Sequence, residues 1–195
     1  MMAAGGDELR LLPFYGGPVQ AYALMLQTGK AVICTGGNVA DAGWHLNRCR
    51  ILSANGPLTL TIPLCKDTRA LSDVAMSSHG NWQRLHRGAF FSAYGRSPYF
   101  EHIADKLYAL INAPLGKVVD FDVAMMRLMI EFMQLPITIE ESIDECTQPP
   151  LSDVAAVPYW QVWRQRFGFV EALSIFDLAF CEGPMAINTL RLMTR

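Results

Sequence analysis

LRLLPFYGGPVQAYALMLQTGKAVICT, from Leu9 to Thr35, carries the reading that decides the fold. Leu9 to Tyr15 is an apolar run suited to a buried strand. Gly16-Gly17-Pro18 then marks a turn, with proline where a helix starts, and Val19 to Gln27 follows as a short apolar helix. Ala31 to Thr35 is a second apolar run. Strand, helix and strand in that order predict a right-handed β-α-β unit with a parallel pair, since parallel strands need a crossover connection.

Further along, Asn47 to Leu52 and Leu58 to Leu64 flank Ser53-Ala-Asn-Gly-Pro57, a turn signal between two runs that can alternate between faces. The spacing predicts a hairpin with Leu58, Leu60, Ile62 and Leu64 on one side, and Leu71 to Met76 as a further strand. From Asn81 the period changes. Trp82, Leu85, His86, Ala89, Phe90, Ala93 and Tyr94 share one helical face. Ser97 and Pro98 are expected to cap and open a helix running to about Asn112, and Asp120 to cap another running to Leu135. Helices are read near 153 to 166, 171 to 180 and 184 to 192. These elements describe an α/β or α+β fold, with a small mixed sheet formed mainly by the first 80 residues and a helical second half. Residues 1 to 8 read as a loose arm and 9 to 195 as one domain.

Composition narrows the function. Sixteen Lys and Arg against 18 Asp and Glu leave a formal charge of -2, too little field to gather a polyanion, so no nucleic-acid partner is expected. The longest uncharged stretch, Leu11 to Gly29, is interrupted by Pro13, Pro18, Gly16 and Gly17, which argues against a membrane span. Five widely spaced cysteines, Cys34, Cys49, Cys65, Cys146 and Cys181, fit reduced thiols rather than a disulfide framework or zinc site. Asp7 and Glu8 stand where an export signal would need its basic end and apolar run, so the chain is expected to be cytoplasmic. No metal ligand set, cofactor loop, G-x-S-x-G or Walker motif is present in the sequence.

Four fragments stand in order within the middle of the chain: Asn47-Arg48-Cys49-Arg50-Ile51, Leu60-Thr-Ile-Pro63, Trp82-Gln-Arg-Leu-His86, and Tyr94 with Ser97-Pro-Tyr-Phe100. Their spacing resembles the WbqC-like family, whose members show N-R-x-R-I, L-T-I-P-V, W-x-x-x-H and Y-x-x-x-P-x-F. The resemblance covers roughly Leu11 to Thr138. Gly168-Phe169, Leu173-Ser-Ile175, Asp177-Leu178 and Glu182-Gly-Pro184 look like the ending of a branch common in Bacteroidetes. The family usually places acidic residues at the end of the second strand and a basic residue before N-R-x-R. Thr35-Gly36-Gly37 and Asp41-Ala42-Gly43 occupy those stretches here. The family is named from genes of bacterial surface-polysaccharide clusters, and some members are described as amino-acid or other small-group transferases. Such a resemblance implies a setting more readily than a reaction.

Candidate site residues follow, each with two readings. Arg48 and Arg50 would point to one face of a strand roughly 7 Å apart, needing either a ligand anion or the chain's own carboxylates between them. Asn47 belongs to the same motif. Gly16 and Gly17 would either open backbone N-H groups to a ligand or serve a tight turn for steric reasons. His86, between Trp82 and Phe90 on an apolar face, is either a hydrogen-bonded core histidine or the proton-transfer residue of the W-x-x-x-H pattern, expected to be buried and neutral. Trp82 is a ligand-wall candidate and His45 the second proton-transfer candidate. One function is a transferase of small groups that holds an anionic small molecule over Arg48 and Arg50. The other is a non-catalytic protein docking an acidic partner on the same arginines, and self-association of the chain stays open.

Overall fold

The computed structural model describes residues 8–194. Strand β1 (Arg10–Leu11), helix α1 (Val19–Thr28) and strand β2 (Lys30–Cys34) form the expected unit, with β1 and β2 parallel. Gly29 ends α1 in the left-handed conformation, and its N-H donates to the Met25 carbonyl at 2.9 Å. That conformation suits glycine, which has no Cβ to clash. Of the expected arm, residues 1–7 lie outside the described residues, while Glu8 pairs with Arg10 at 3.4 Å and Lys30 at 3.5 Å.

Strands β3 (Arg48–Ser53) and β4 (Gly56–Thr61) make the predicted antiparallel hairpin, with Ser53 opposite Gly56 across the two-residue turn. It forms a separate two-stranded sheet. Helices α2 (Trp82–Tyr94), α3 (Phe100–Ile111) and α4 (Val118–Phe132) follow, then a strand that the apolar pattern does not announce, β5 (Thr138–Ser142). β5 pairs in parallel with β2 over five positions, so the three-stranded sheet has the order β1-β2-β5 with β2 central. The final third holds α5 (Arg164–Phe167), α6 (Ile175–Glu182) and α7 (Ala186–Met193). The fold is mixed α/β, with strands concentrated in the first half and helices in the second.

Several local expectations are corrected. Leu71 to Met76 is a short 3-10 turn, Leu71–Asp73, followed by single bridges from Ala75 to Lys117 and Met76 to Leu64. Ser97 caps no helix, because its hydroxyl donates to the Tyr94 carbonyl at 2.8 Å and α3 begins at Phe100. Asp120 sits inside the first turn of α4, where it favours the positive end of the helix without capping it. Leu85 is 64 % exposed although it shares the α2 face with buried Trp82, His86 and Phe90. The helix expected near 153 to 166 shrinks to the Leu151–Asp153 turn and α5, since Pro158 interrupts it and Gln161 is drawn into the core.

Buried residues from Leu11 to Met193 form one hydrophobic cluster. Phe90, Phe176 and Phe180 lie at its centre, with Phe90 against Phe176 at 4.9 Å and Phe180 against Phe100 at 5.1 Å and Tyr94 at 5.2 Å. Motif residues Tyr94 and Phe100 are therefore packing residues, each holding α6 to the α2 and α3 helices.

Candidate functional site

Arg48 and Arg50 share one face of β3, opposite Thr61 and Thr59, while Cys49 between them is buried. Arg48 is half-buried and Arg50 exposed. Among the described residues neither forms an ion pair, so the chain's own carboxylates do not neutralise this face. The Arg50 carbonyl accepts from both the Ser174 N-H at 2.8 Å and the Ser174 hydroxyl at 2.9 Å, tying the hairpin to the start of α6. Asn47 has structural work: its amide donates to the Ile62 carbonyl at 2.7 Å, and its own carbonyl accepts from Ile62 N-H at 2.8 Å.

His86 lies in the core at 3 % exposure. Its Nδ1 is 3.0 Å from the Tyr15 hydroxyl, the two rings are stacked, and Trp82 meets the imidazole edge-on at 5.1 Å. Burial lowers its pKa to about 4, against a smaller opposing pull from the Thr61 carbonyl. The ring is thus neutral at physiological pH, as its apolar face predicts. A neutral ring that keeps its proton on Nε2 leaves Nδ1 to accept from the Tyr15 hydroxyl.

The glycine turn is buried as well. Gly16 and Gly17 have φ of +69° and +63°, and a Cβ would stand 2.3 Å from the Phe176 ring at Gly16 and 2.2 Å from Phe14 at Gly17. The Gly17 carbonyl accepts from Ile175 N-H at 2.8 Å. The steric reading of these glycines is the one that fits, and the expected opening to a ligand is not formed. Trp82 donates from Nε1 to the Ser77 carbonyl at 3.0 Å and lines a shallow cavity of about 280 Å³ with Gln83 and Pro114. His45 is half-buried beside Trp44, and burial lowers its pKa. The arginines, His86, His45 and the glycine turn line neither of two adjoining cavities of about 510 and 690 Å³.

The first of those two cavities lies at the carboxyl ends of the parallel strands, and the second adjoins it between the loop after β2 and the segment after β4. One, of about 510 Å³, is walled by Leu12 after β1, Gly36 to Asn38 and Asp41 after β2, and Glu145 to Gln148 after β5. The other, of about 690 Å³, shares Asn38 and Asp41 and adds Leu64, Cys65, Lys66, Thr68 and Arg69. Backbone bonds hold the walls together. Thr35 N-H donates to Ser142 at 2.8 Å, Gly36 N-H to Asp144 at 3.1 Å, Val39 N-H to Arg69 at 2.9 Å and Leu71 N-H to Gly37 at 2.9 Å. The Gln148 side chain accepts from Leu12 N-H at 2.9 Å, and Arg10 pairs with Asp144 at 2.8 Å. Loops beyond the carboxyl ends of parallel strands are where open α/β sheets bind ligands, because the strands fix the loop ends while the loops stay free to vary.

Charge in this crevice is divided. Glu145 belongs to the first cavity, Lys66 and Arg69 to the second, and Asp41 to both. None of the four forms an ion pair among the described residues. Such a surface offers an anion two cationic groups and leaves carboxylates beside it for a cation or a proton. Sequence reasoning passes over these residues because each is an ordinary loop side chain. The signal that locates Asp41 and Glu145 is β5: once Thr138 to Ser142 is read as a third parallel strand, the loops after β1, β2 and β5 must meet.

Gly36 permits this meeting. A Cβ there would run into the Ile143 carbonyl oxygen, with the Asp144 carbonyl carbon and oxygen at 2.7 and 2.8 Å. Gly36→Ala is expected to lower the unfolding free energy by about 1–3 kcal/mol, as overpacking against backbone does, measured by urea denaturation. An unchanged midpoint would show that the two loops separate freely.

No curated protein and no solved structure matches the chain. The sequence model of the WbqC-like protein family matches residues 18–154, which hold the hairpin, the three helices α2 to α4, β5 and all of the crevice except Leu12. On that match, and on the four ordered motifs that the structure folds into one core, the chain belongs to the WbqC-like protein family.

Proposed function

We propose that the chain is a cytoplasmic small-group transferase that binds an anionic small molecule in the crevice at the carboxyl ends of β1, β2 and β5. The sign-divided, unpaired charge around two adjoining cavities is the observation that carries this reading. Lys66 and Arg69 hold the anion. Asp41 stands in the shared wall and Glu145 in the adjoining cavity, where a carboxylate can take a proton from an attacking group or hold a cationic one. The family's usual acidic and basic stretches correspond here to Thr35-Gly36-Gly37 and Asp41-Ala42-Gly43, at the wall of the same crevice. A role in surface-polysaccharide assembly follows from the family's usual genetic setting. The cytoplasmic setting draws on the five unpaired cysteines and on the lack, among the described residues, of a helix long and apolar enough to cross a membrane. His86, sealed behind Tyr15 and Trp82, has no part in this chemistry.

A second reading keeps the exposed, unpaired Arg48 and Arg50 face for an acidic partner. Thermal-shift screening against nucleotides, nucleotide sugars, acyl carriers and amino acids separates the two, because a ligand of the folded state raises the melting temperature. An anionic hit is expected, and Arg69→Ala should weaken its binding roughly 10- to 100-fold, the range for losing a charged hydrogen bond. Arg50→Ala should leave it unchanged. Loss of binding in Arg50→Ala with Arg69→Ala unaffected would move the site to the hairpin.

A further inference from the structure

We propose that Cys34 and Cys146 form a reversible disulfide at the base of the crevice, a modification site joining the loop after β2 to the loop after β5. The proposal stands apart from the identity of any crevice ligand. Cys34 is the last residue of β2 and pairs in register with Ser142, the last residue of β5. Beyond that pair the β5 loop folds back over the β2 end. Thr35 N-H and the Thr35 hydroxyl both donate to the Ser142 carbonyl, and Gly36 N-H donates to that of Asp144. Asp144 is held in place by Arg10 at 2.8 Å. This return, held at Gly36 by Asp144 on one side of Cys146 and at Leu12 by the Gln148 side chain on the other, carries Cys146 across the end of β2 beside Cys34.

Access to the two sulfurs differs. Cys34 is fully buried, whereas Cys146 is half-buried and lines the 510 Å³ cavity. An oxidant entering the crevice therefore meets Cys146 first, and Cys34 resolves. With glutathione disulfide, the Cys146 thiolate attacks one sulfur and expels a glutathione thiolate, giving a mixed disulfide. Cys34, losing its proton, then attacks the Cys146 sulfur and expels the second glutathione thiolate. The net reaction oxidises two protein thiols, reduces one glutathione disulfide to two glutathione thiols, and passes the two protons to them. Burial, and then the Cys34 contact, push the Cys146 thiol up to about 12. Little thiolate is present at neutral pH, so closure is slow and its rate should climb about tenfold per pH unit between pH 7 and 9.

The closed bond would link positions far apart in the chain and restrict the unfolded state. Full-length reduced protein is incubated with glutathione disulfide at pH 7, 8 and 9, then digested without reduction and examined by mass spectrometry. A peptide pair joined through Cys34 and Cys146 is expected, together with a melting temperature higher by several degrees and reversal by dithiothreitol. Cys146→Ser, a change in a half-exposed loop that spares the buried Cys34, should fold, form no such pair and show no oxidant-dependent rise. Stable glutathionylation of Cys146 with Cys34 left free, or joining of Cys146 to Cys65 instead, would overturn the proposal.

Discussion

Asp177→Ala is expected to lower the unfolding free energy by roughly 3–5 kcal/mol, the range for removing one partner from a buried charged network. Asp177 lies in α6 and is fully buried. Its carboxylate accepts from the Tyr94 hydroxyl at 2.8 Å, the Tyr159 hydroxyl at 2.8 Å and the Gln161 amide at 3.0 Å. Tyr94 also accepts from Leu52 N-H at 3.1 Å, so one carboxylate joins the hairpin, α2, the segment around Tyr159 and α6. Burial raises the pKa of Asp177 while the three donors pull it back. Truncation would leave those donors without an acceptor in a site water does not reach, a penalty of about 1–3 kcal/mol for each group left unsatisfied. Tyr159→Phe removes a single donor and should cost only about 1 kcal/mol. Urea unfolding of both variants checks the contrast, and equal losses would mean that Asp177 is not the hub.

Acid stability provides the second large effect. His86 titrates near 4 in the folded protein against an ordinary 6.5. Between those values the unfolded chain binds a proton that the folded one does not, so its contribution is full above pH 6.5 and is lost as pH falls toward 4. At 3 % exposure little solvent screening intervenes, and the difference corresponds to about 3 kcal/mol. Asp122 acts in the opposite sense. It is fully buried, neither carboxyl oxygen has a hydrogen-bond partner among the described residues, and burial raises its pKa well above the usual carboxylate range. The folded state therefore holds the Asp122 proton more tightly, and this term lowers stability as pH rises above the ordinary aspartate value. Asp122→Asn should remove that term, leaving a variant whose stability climbs more steeply from pH 4 to 6.5 than the parent's. A His86→Gln variant should lose the climb, and an unaltered slope in it would place the responsible proton elsewhere.

Local chemistry explains which parts of the fold the sequence discloses. The β-α-β start is punctuated by Gly16-Gly17-Pro18 and Gly29, the hairpin by its Asn55-Gly56 turn, and α2 by seven residues at helical spacing, all signals carried by near neighbours in the chain. β5 is different. Its five residues include Glu140 and Glu141, both exposed, and only the partner strand β2 makes Thr138 to Ser142 a strand at all. The same holds in reverse for Leu71 to Met76, an apolar run that finds single bridges instead of a partner strand. The candidate site was hidden for this reason. Asp41 and Glu145 lie on loops that meet only after β5 has been placed beside β2, and Lys66 and Arg69 lie on a third segment, after β4, that reaches the β2 loop through long-range backbone bonds. The motif residues that stand out in the sequence, His86, Asn47, Trp82 and Tyr94, owe their pattern to hydrogen bonds and packing in the core. Their chemistry was legible, but not that it is spent on folding.

Amide chemical-shift mapping in ¹⁵N-labelled protein, with the ligand that most raises the melting temperature, tests the crevice most directly. The account predicts the largest shifts at Gly36, Gly37, Asn38, Thr147 and Gln148, on the loops after β2 and β5, with smaller ones near Lys66 and Arg69. Shifts centred on Arg48 to Thr61, with the glycine loop unmoved, would contradict it.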